Sequence, residues 1–191
     1  MPVRRLAPVG LVLVGGLLLT GCSDDDSGPL SADDLPSKVI ESGSHQAGVP
    51  TVSSCEALNR AQEKLTTSAD VDDGYRYWTY DLEDGTFVGV SVVEPDYPYR
   101  DVSDALASVQ ATLPECDDVE PLDSRPDDAI GFSSTTSSSN GERQGTTLLA
   151  PVGDDRIVTV AVSSESGSEP AVDAEDLLAD VKDKAADLDL S

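Results

Sequence analysis

Apolar residues recur along this chain in two periods, and the switches between them lay out its elements. Before position 22 there is no period: Leu6 to Leu19 is a nearly continuous apolar run containing Pro8, Gly10, Gly15 and Gly16. A helical stripe begins after Ser53. Leu58, Ala61 and Leu65 recur at i, i+3 and i+7, and Ser53 with Glu56 has the form of a capping box, so a helix is predicted from Ser53 or Ser54 to about Ser68. Tyr75 to Leu82 and Phe87 to Val93 then alternate as strands do, with the hairpin signal Asp84-Gly85 between them. A two-residue loop there sets Leu82 opposite Phe87, Tyr80 opposite Gly89 and Trp78 opposite Ser91. In that register Tyr77, Thr79, Val88, Val90 and Val92 form the core face, and Trp78, Tyr80 and Phe87 share the other.

Helical spacing returns at Val102, Leu106, Val109 and Leu113, between an Asp101 cap and Pro114. Residues 117–128 are acidic and contain proline, and read as a surface loop. From Ala129 the strand pattern resumes, punctuated by Asn140-Gly141 and Gly153-Asp154-Asp155. Two-residue loops at 140–141 and 154–155 put Ile130, Phe132, Thr147, Leu149, Val158, Val160 and Val162 on one face. Ser133 to Ser139 reads as an exposed, or glycosylated, hairpin tip. After a linker from Ser163 to Pro170, Asp173 caps a last helix with Leu177 or Leu178, Val181, Ala185 and Leu188 as its buried stripe. Upstream, Ser31 to Leu35 has the form of a helix entry, Val39 and Ile40 offer packing, and residues 45–51 form a loop. This order predicts an α+β domain: an antiparallel sheet of about five strands (hairpin plus three-stranded meander) with helices packed mainly on one face.

The unpatterned start is a targeting segment. Arg4 and Arg5 followed by an apolar run shorter than the ~20 residues of a membrane span read as an export signal. Leu19-Thr20-Gly21-Cys22 resembles the lipobox of bacterial lipoproteins. The resemblance implies lipidation of the Cys22 thiol by a diacylglyceryl group with palmitate-type acyl chains, cleavage before Cys22, and a hold on the extracytoplasmic face of the cell membrane. Residues 1–21 are then a signal peptide, 22–31 an acidic tether and 32–191 a single extracytoplasmic domain. Of three cysteines, Cys55 and Cys116 remain as an even pair in an oxidising compartment. A bridge between them closes a loop of about sixty residues. The rival reading, a reactive thiol, needs a base beside it, and the chain holds one histidine.

Charge narrows the partners. The formal net charge is −25, and the leader holds none of the acids, so removing it makes the balance more negative. Such a field repels nucleic acid and anionic head groups; it suits cations, basic proteins or plain solubility. Scarce Lys beside abundant Asp fits an actinobacterial protein, or a haloarchaeal one. The order of elements, the Trp78-bearing hairpin, Cys55-Glu-Ala-Leu58 and the run from Ala105-Leu106 to Leu113-Pro-Glu-Cys116 resemble the extracellular sensor-like domains of mycobacterial Ser/Thr receptor kinases. Such domains also occur alone as actinobacterial lipoproteins. The resemblance implies a ligand-binding or sensing module with a cleft over the sheet and no catalytic residues.

Chemistry read from the residues agrees with a binder. His45 sits in a Gly/Pro loop with no nucleophile at hand. No Cys/His set has zinc spacing, and Asp70-Val-Asp72-Asp73-Gly74 fails the calcium-loop pattern at its sixth and twelfth positions, where Tyr75 and Asp81 stand. No metal and no cofactor is expected. A carboxylate pair for glycan hydrolysis needs only two acids at the right distance, and nothing selects two from 37. Every aromatic residue except Phe132 lies between Tyr75 and Tyr99. Trp78, Tyr80, Phe87, Tyr97 and Tyr99 are therefore the candidate ligand-binding residues, with core packing as the competing role. The expected function is a membrane-anchored, monomeric, non-enzymatic ligand-binding or sensing module for a small ligand or envelope component. The alternatives are a carboxylate-dependent hydrolase of envelope glycans and a purely structural surface protein.

Overall fold

The alternating stretches pair into one antiparallel sheet of seven strands rather than about five, in the order β1-β2-β3-β7-β6-β5-β4. The structure, a computed structural model, describes residues 28–50, 53–69, 74–123, 125–126, 128–138 and 141–190. The leader, Cys22, the tether up to residue 27, the acids of the 70–73 stretch and Asn140 lie outside the described residues. In chain order the elements are β1 (Val39–His45), α1 (Glu56–Ser68), β2 (Tyr75–Leu82), β3 (Phe87–Val93), α2 (Val102–Gln110), β4 (Val119–Pro121), β5 (Ile130–Ser138), β6 (Gly141–Val152), β7 (Arg156–Glu165) and α3 (Ala174–Ala185). The two strands beyond the expected five are the edges. β1 was expected to be packing residues and loop, and β4 lies in the acidic stretch assigned to a loop. Both are weak in sequence because an edge strand is half-solvated and need not alternate cleanly.

Helices cover both faces, not mainly one. On one face α3 lays Leu177, Leu178, Val181 and Ala185 over Val88, Val90, Val92, Leu148, Ala150, Val158, Val160 and Val162. On the other, α1 and α2 bring Leu58, Leu65, Val102, Leu106 and Val109 against Tyr75, Val93, Ile130, Phe132, Leu149 and Ile157. The expected caps hold at Asp101, which accepts from the Asp104 N–H, and at Asp173, which accepts from Glu175 and Asp176. At α1 the N-cap is Cys55, and the Ser53 hydroxyl instead accepts from the Cys55 N–H. Cys55 and Cys116 are disulfide-bonded, tying the start of α1 to the turn after α2. Ser54 adds two hydrogen bonds to Asp118 beside the bridge.

The central register differs by one residue from the expected one, and this reassigns the faces. Tyr80 pairs with Val88 and Trp78 with Val90. The Leu82 N–H bonds to the Thr86 carbonyl and Gly85 has φ 85°, so the turn has three residues, with Gly85 in the left-handed conformation that closes it. Val152 pairs with Arg156, so the β6–β7 turn also has three residues, and Val158, Val160 and Val162 face away from Ile130 and Phe132. A one-residue shift flips a whole strand. At β5–β6 the register moves by two residues, Ser138 pairing with Gly141, so its predicted face is kept.

Gly28, Pro29 and Leu30, assigned to the tether, already belong to the fold. Leu30 is buried, its carbonyl accepts from the Tyr80 hydroxyl at 2.9 Å, and a Cβ on Gly28 would lie 2.7 Å from the Trp78 ring. Lys184 on α3 holds Asp34 at 2.8 Å, and that contact with the Ser31 bonds lowers the Asp34 pKa to about 2.

Candidate functional site

The five nominated aromatics do not converge. Trp78 and Tyr80 lie in the core under α3, at 5% and 6% exposure. Their burial follows from the three-residue turn, which aligns them with Val88, Val90 and Val92. Tyr97 is 85% exposed. Tyr99 packs beside α1 and α2, with the Lys64 ammonium 5.4 Å from its ring centroid. Phe87 alone stands in a cleft, and its aromatic companion is Tyr77, which also belongs, as expected, to the core, at 9% exposure.

The cleft lies on the α1/α2 face, beyond the part of the sheet those helices cover. Strand pairing aligns two rows across it: Asp81–Phe87–Ser163–Gly145–Ser134 and Thr79–Gly89–Ala161–Thr147–Phe132. Elsewhere on this face the sheet carries Leu, Ile and Val, but at the middle of these rows it carries Gly, Ala and Ser. Small side chains between taller neighbours leave a hollow of about 370 Å³, near the lower end of the ~300–1,000 Å³ usual for small-molecule sites. Two glycines are required by close approach. A Cβ on Gly89 would fall 3.1 Å from the Pro50 Cβ, so glycine lets the loop before α1 lean over the cleft; a Cβ on Gly145 would fall 2.9 Å from that of Ser163.

Arg143 issues from β6, and its guanidinium reaches across β7 to the turn before β3. Its Nη2 donates to the Gly85 carbonyl at 2.9 Å and the Ser163 carbonyl at 3.0 Å, and its Nε lies 3.4 Å from Ser163 Oγ. Carbonyls position this guanidinium without neutralising it. The ion pairs among the described residues belong to Arg60, Arg100, Arg156, Lys182 and Lys184. At the β2 end, Asp81 lies near Tyr77, whose hydroxyl is pushed up to about 12 by burial and then by the Asp81 charge. His45, expected in a loop, ends β1 with its ring centroid 5.5 Å from that of Tyr77.

Burial also pushes Tyr80 up to about 12 and raises Tyr75 further. A raised pKa means the folded chain keeps protons that the unfolded chain would release. The associated stability is complete below the ordinary value of 10.0 and is lost as pH rises through about 12. Tyrosinate absorbance and circular dichroism followed together should therefore show Tyr77 and Tyr80 ionising only as the fold is lost, on the order of 2 kcal/mol apiece. Full ionisation of every tyrosine near pH 10, with secondary structure intact, would contradict their burial.

A second cavity, of about 790 Å³, opens on the α3 face and is lined by Asp117, Asp118, Glu120, Glu169, Asp173 and Glu175. It gathers acids, but two of them already serve the fold. Asp173 caps α3. Desolvation opposes ionisation of Asp118, and its two Ser54 hydrogen bonds outweigh this, leaving its pKa below the ordinary value. Among the described residues no His/Cys/Asp/Glu group is arranged to hold a metal ion, and no helix is long and apolar enough to cross a membrane. No protein-family model, curated protein or solved structure matches the chain.

Proposed function

We propose that this protein is a membrane-anchored, extracytoplasmic lipoprotein whose domain binds a small ligand in the cleft between Phe87 and Arg143, as a sensing or carrier module and not as an enzyme. The observation that carries the reading is the cleft itself: a floor of small residues, aromatic and proline walls, and one positioned cation that no carboxylate among the described residues neutralises. A structural protein needs no such hollow, and Ala161 and Gly145 keep it open where larger residues would pack more apolar surface. The disulfide suits an oxidising compartment. The lipobox at Cys22 supplies the anchor, and the resemblance to receptor-kinase sensor-like domains agrees with a binding role. From Cys22 to Gly28 the chain reaches at most roughly 20 Å, so a lipidated Cys22 keeps the domain close to the bilayer.

A thermal-shift screen against envelope glycans, lipids and peptides tests the binding half. A ligand at a hundred times its dissociation constant stabilises by about 2.7 kcal/mol, a rise in Tm of roughly 5–10 °C. Ala161→Leu, which fills the floor, should abolish that rise for the same ligand. A hit that survives the substitution unchanged would place binding outside this cleft. In the same study Cys22→Ala should release the protein from the membrane fraction; retention at the wild-type level would remove the anchor from the reading.

A further inference from the structure

Beyond binding as such, and resting on the cleft reading above, we infer that the ligand is a small organic carboxylate with an apolar, ring-sized body. The carboxylate lies on Arg143 and the body over Ala161 against Phe87. Three observations converge on this class. Arg143 has two partners at normal hydrogen-bond length, both carbonyls reached through Nη2, while its Nη1 donors have no partner among the described residues, so the two Nη1 protons remain for a carboxylate. In a chain with 37 acidic and 12 basic residues, a guanidinium left out of the ion pairs beside a cleft is a centre of positive potential inside a negative field. That field concentrates few anions, so the site must hold its anion by direct, charge-assisted bonds.

The body of the ligand follows from the floor. The guanidinium reaches across β7 to the Gly85 carbonyl, two residues before Phe87, so the floor left for the body is the strip over Ala161 and Gly145 beside it, about 10 Å from β3 to β6 at the usual strand spacing and room for one ring. Ala161 and Gly145 offer a nearly flat surface beneath it, and Thr147 and Ser163 also line it. Asp81 closes the far end of the Phe87 row and disfavours a second negative charge there. A phosphate dianion or a dicarboxylate is therefore a poor fit, and a monocarboxylate a good one.

The test uses the full chain and three probes of one shape: 3-phenylpropionate, 3-phenylpropanol and 3-phenylpropylamine. Amide chemical shifts are followed at Gly89, Thr147, Ala161 and Ser163. The expected result is saturable shifts at these positions with phenylpropionate, weaker binding of the alcohol and none of the amine. Arg143→Gln should weaken phenylpropionate at least about tenfold, with Arg143→Lys between the two, and leave the alcohol unchanged. Should Arg143→Gln fail to fold, the ranking of the three probes on the wild-type chain still decides. Equal binding of acid and alcohol, or preference for the amine, overturns the carboxylate assignment and leaves the cleft a binding site. Absence of shifts with all three probes overturns both.

Discussion

Trp78→Ala should lower stability by about 3–5 kcal/mol, the loss expected for emptying a large core site, and Tm by roughly 10 °C or more. Trp78 is 5% exposed, pairs with Val90 and shares one core with Leu30, Leu82 and Leu178. It lies on the sheet face opposite the cleft, so ligand binding by the surviving folded fraction should be unchanged. Trp78→Phe should cost far less than alanine, because the ring remains and the indole N–H, which has no acceptor among the described residues, is removed. Urea unfolding measures both variants. A loss under about 1 kcal/mol for the alanine variant would mean that Trp78 is solvated, and the three-residue turn would fall with it.

Replacing both bridge cysteines, Cys55→Ser with Cys116→Ser, should cost roughly 4 kcal/mol in the chain-entropy model, since the bridge spans 61 residues. The double variant avoids a stray thiol. Its urea midpoint should fall while the slope rises slightly, because the effect acts on an unfolded chain freed to expand. Reduction of the wild-type protein should reproduce the shift. A midpoint within experimental error of the bridged form would show that the Ser54–Asp118 hydrogen bonds already hold α1 to the segment after α2.

Much of the candidate site was invisible in the sequence for an identifiable reason. Asp84-Gly85 signals a hairpin whether its loop has two residues or three, since both place glycine at positive φ. The choice between them exchanges Trp78 and Tyr80 for Tyr77 and Thr79 on the cleft face. One signal could have decided it: only the three-residue turn gathers Trp78, Tyr80, Leu82, Val88, Val90 and Val92 on one face, apolar from end to end between Arg76 and Thr86. Arg143 carried no local mark, because its meaning comes from Gly85 and Ser163, brought near it by strand order. Ala161 and Gly145 were legible as small residues but not as neighbours. Phe87 was nominated and does line the cleft.

The sequence by itself determined the local content of this protein. Periodicity located the three helices with two of their caps and the five inner strands, and the cysteine count paired Cys55 with Cys116. These are properties of short windows, or of a residue type so rare that few arrangements remain. Tertiary structure decided which face each strand shows, that helices cover both faces, that β1 and β4 complete the sheet, and that Gly28 to Leu30 join the core. Each of these depends on contacts between residues far apart in the chain. The cleft belongs to this second group: it exists because small residues from β7, β6 and β5 fall side by side where no helix covers them, a coincidence of registers that no single stretch encodes.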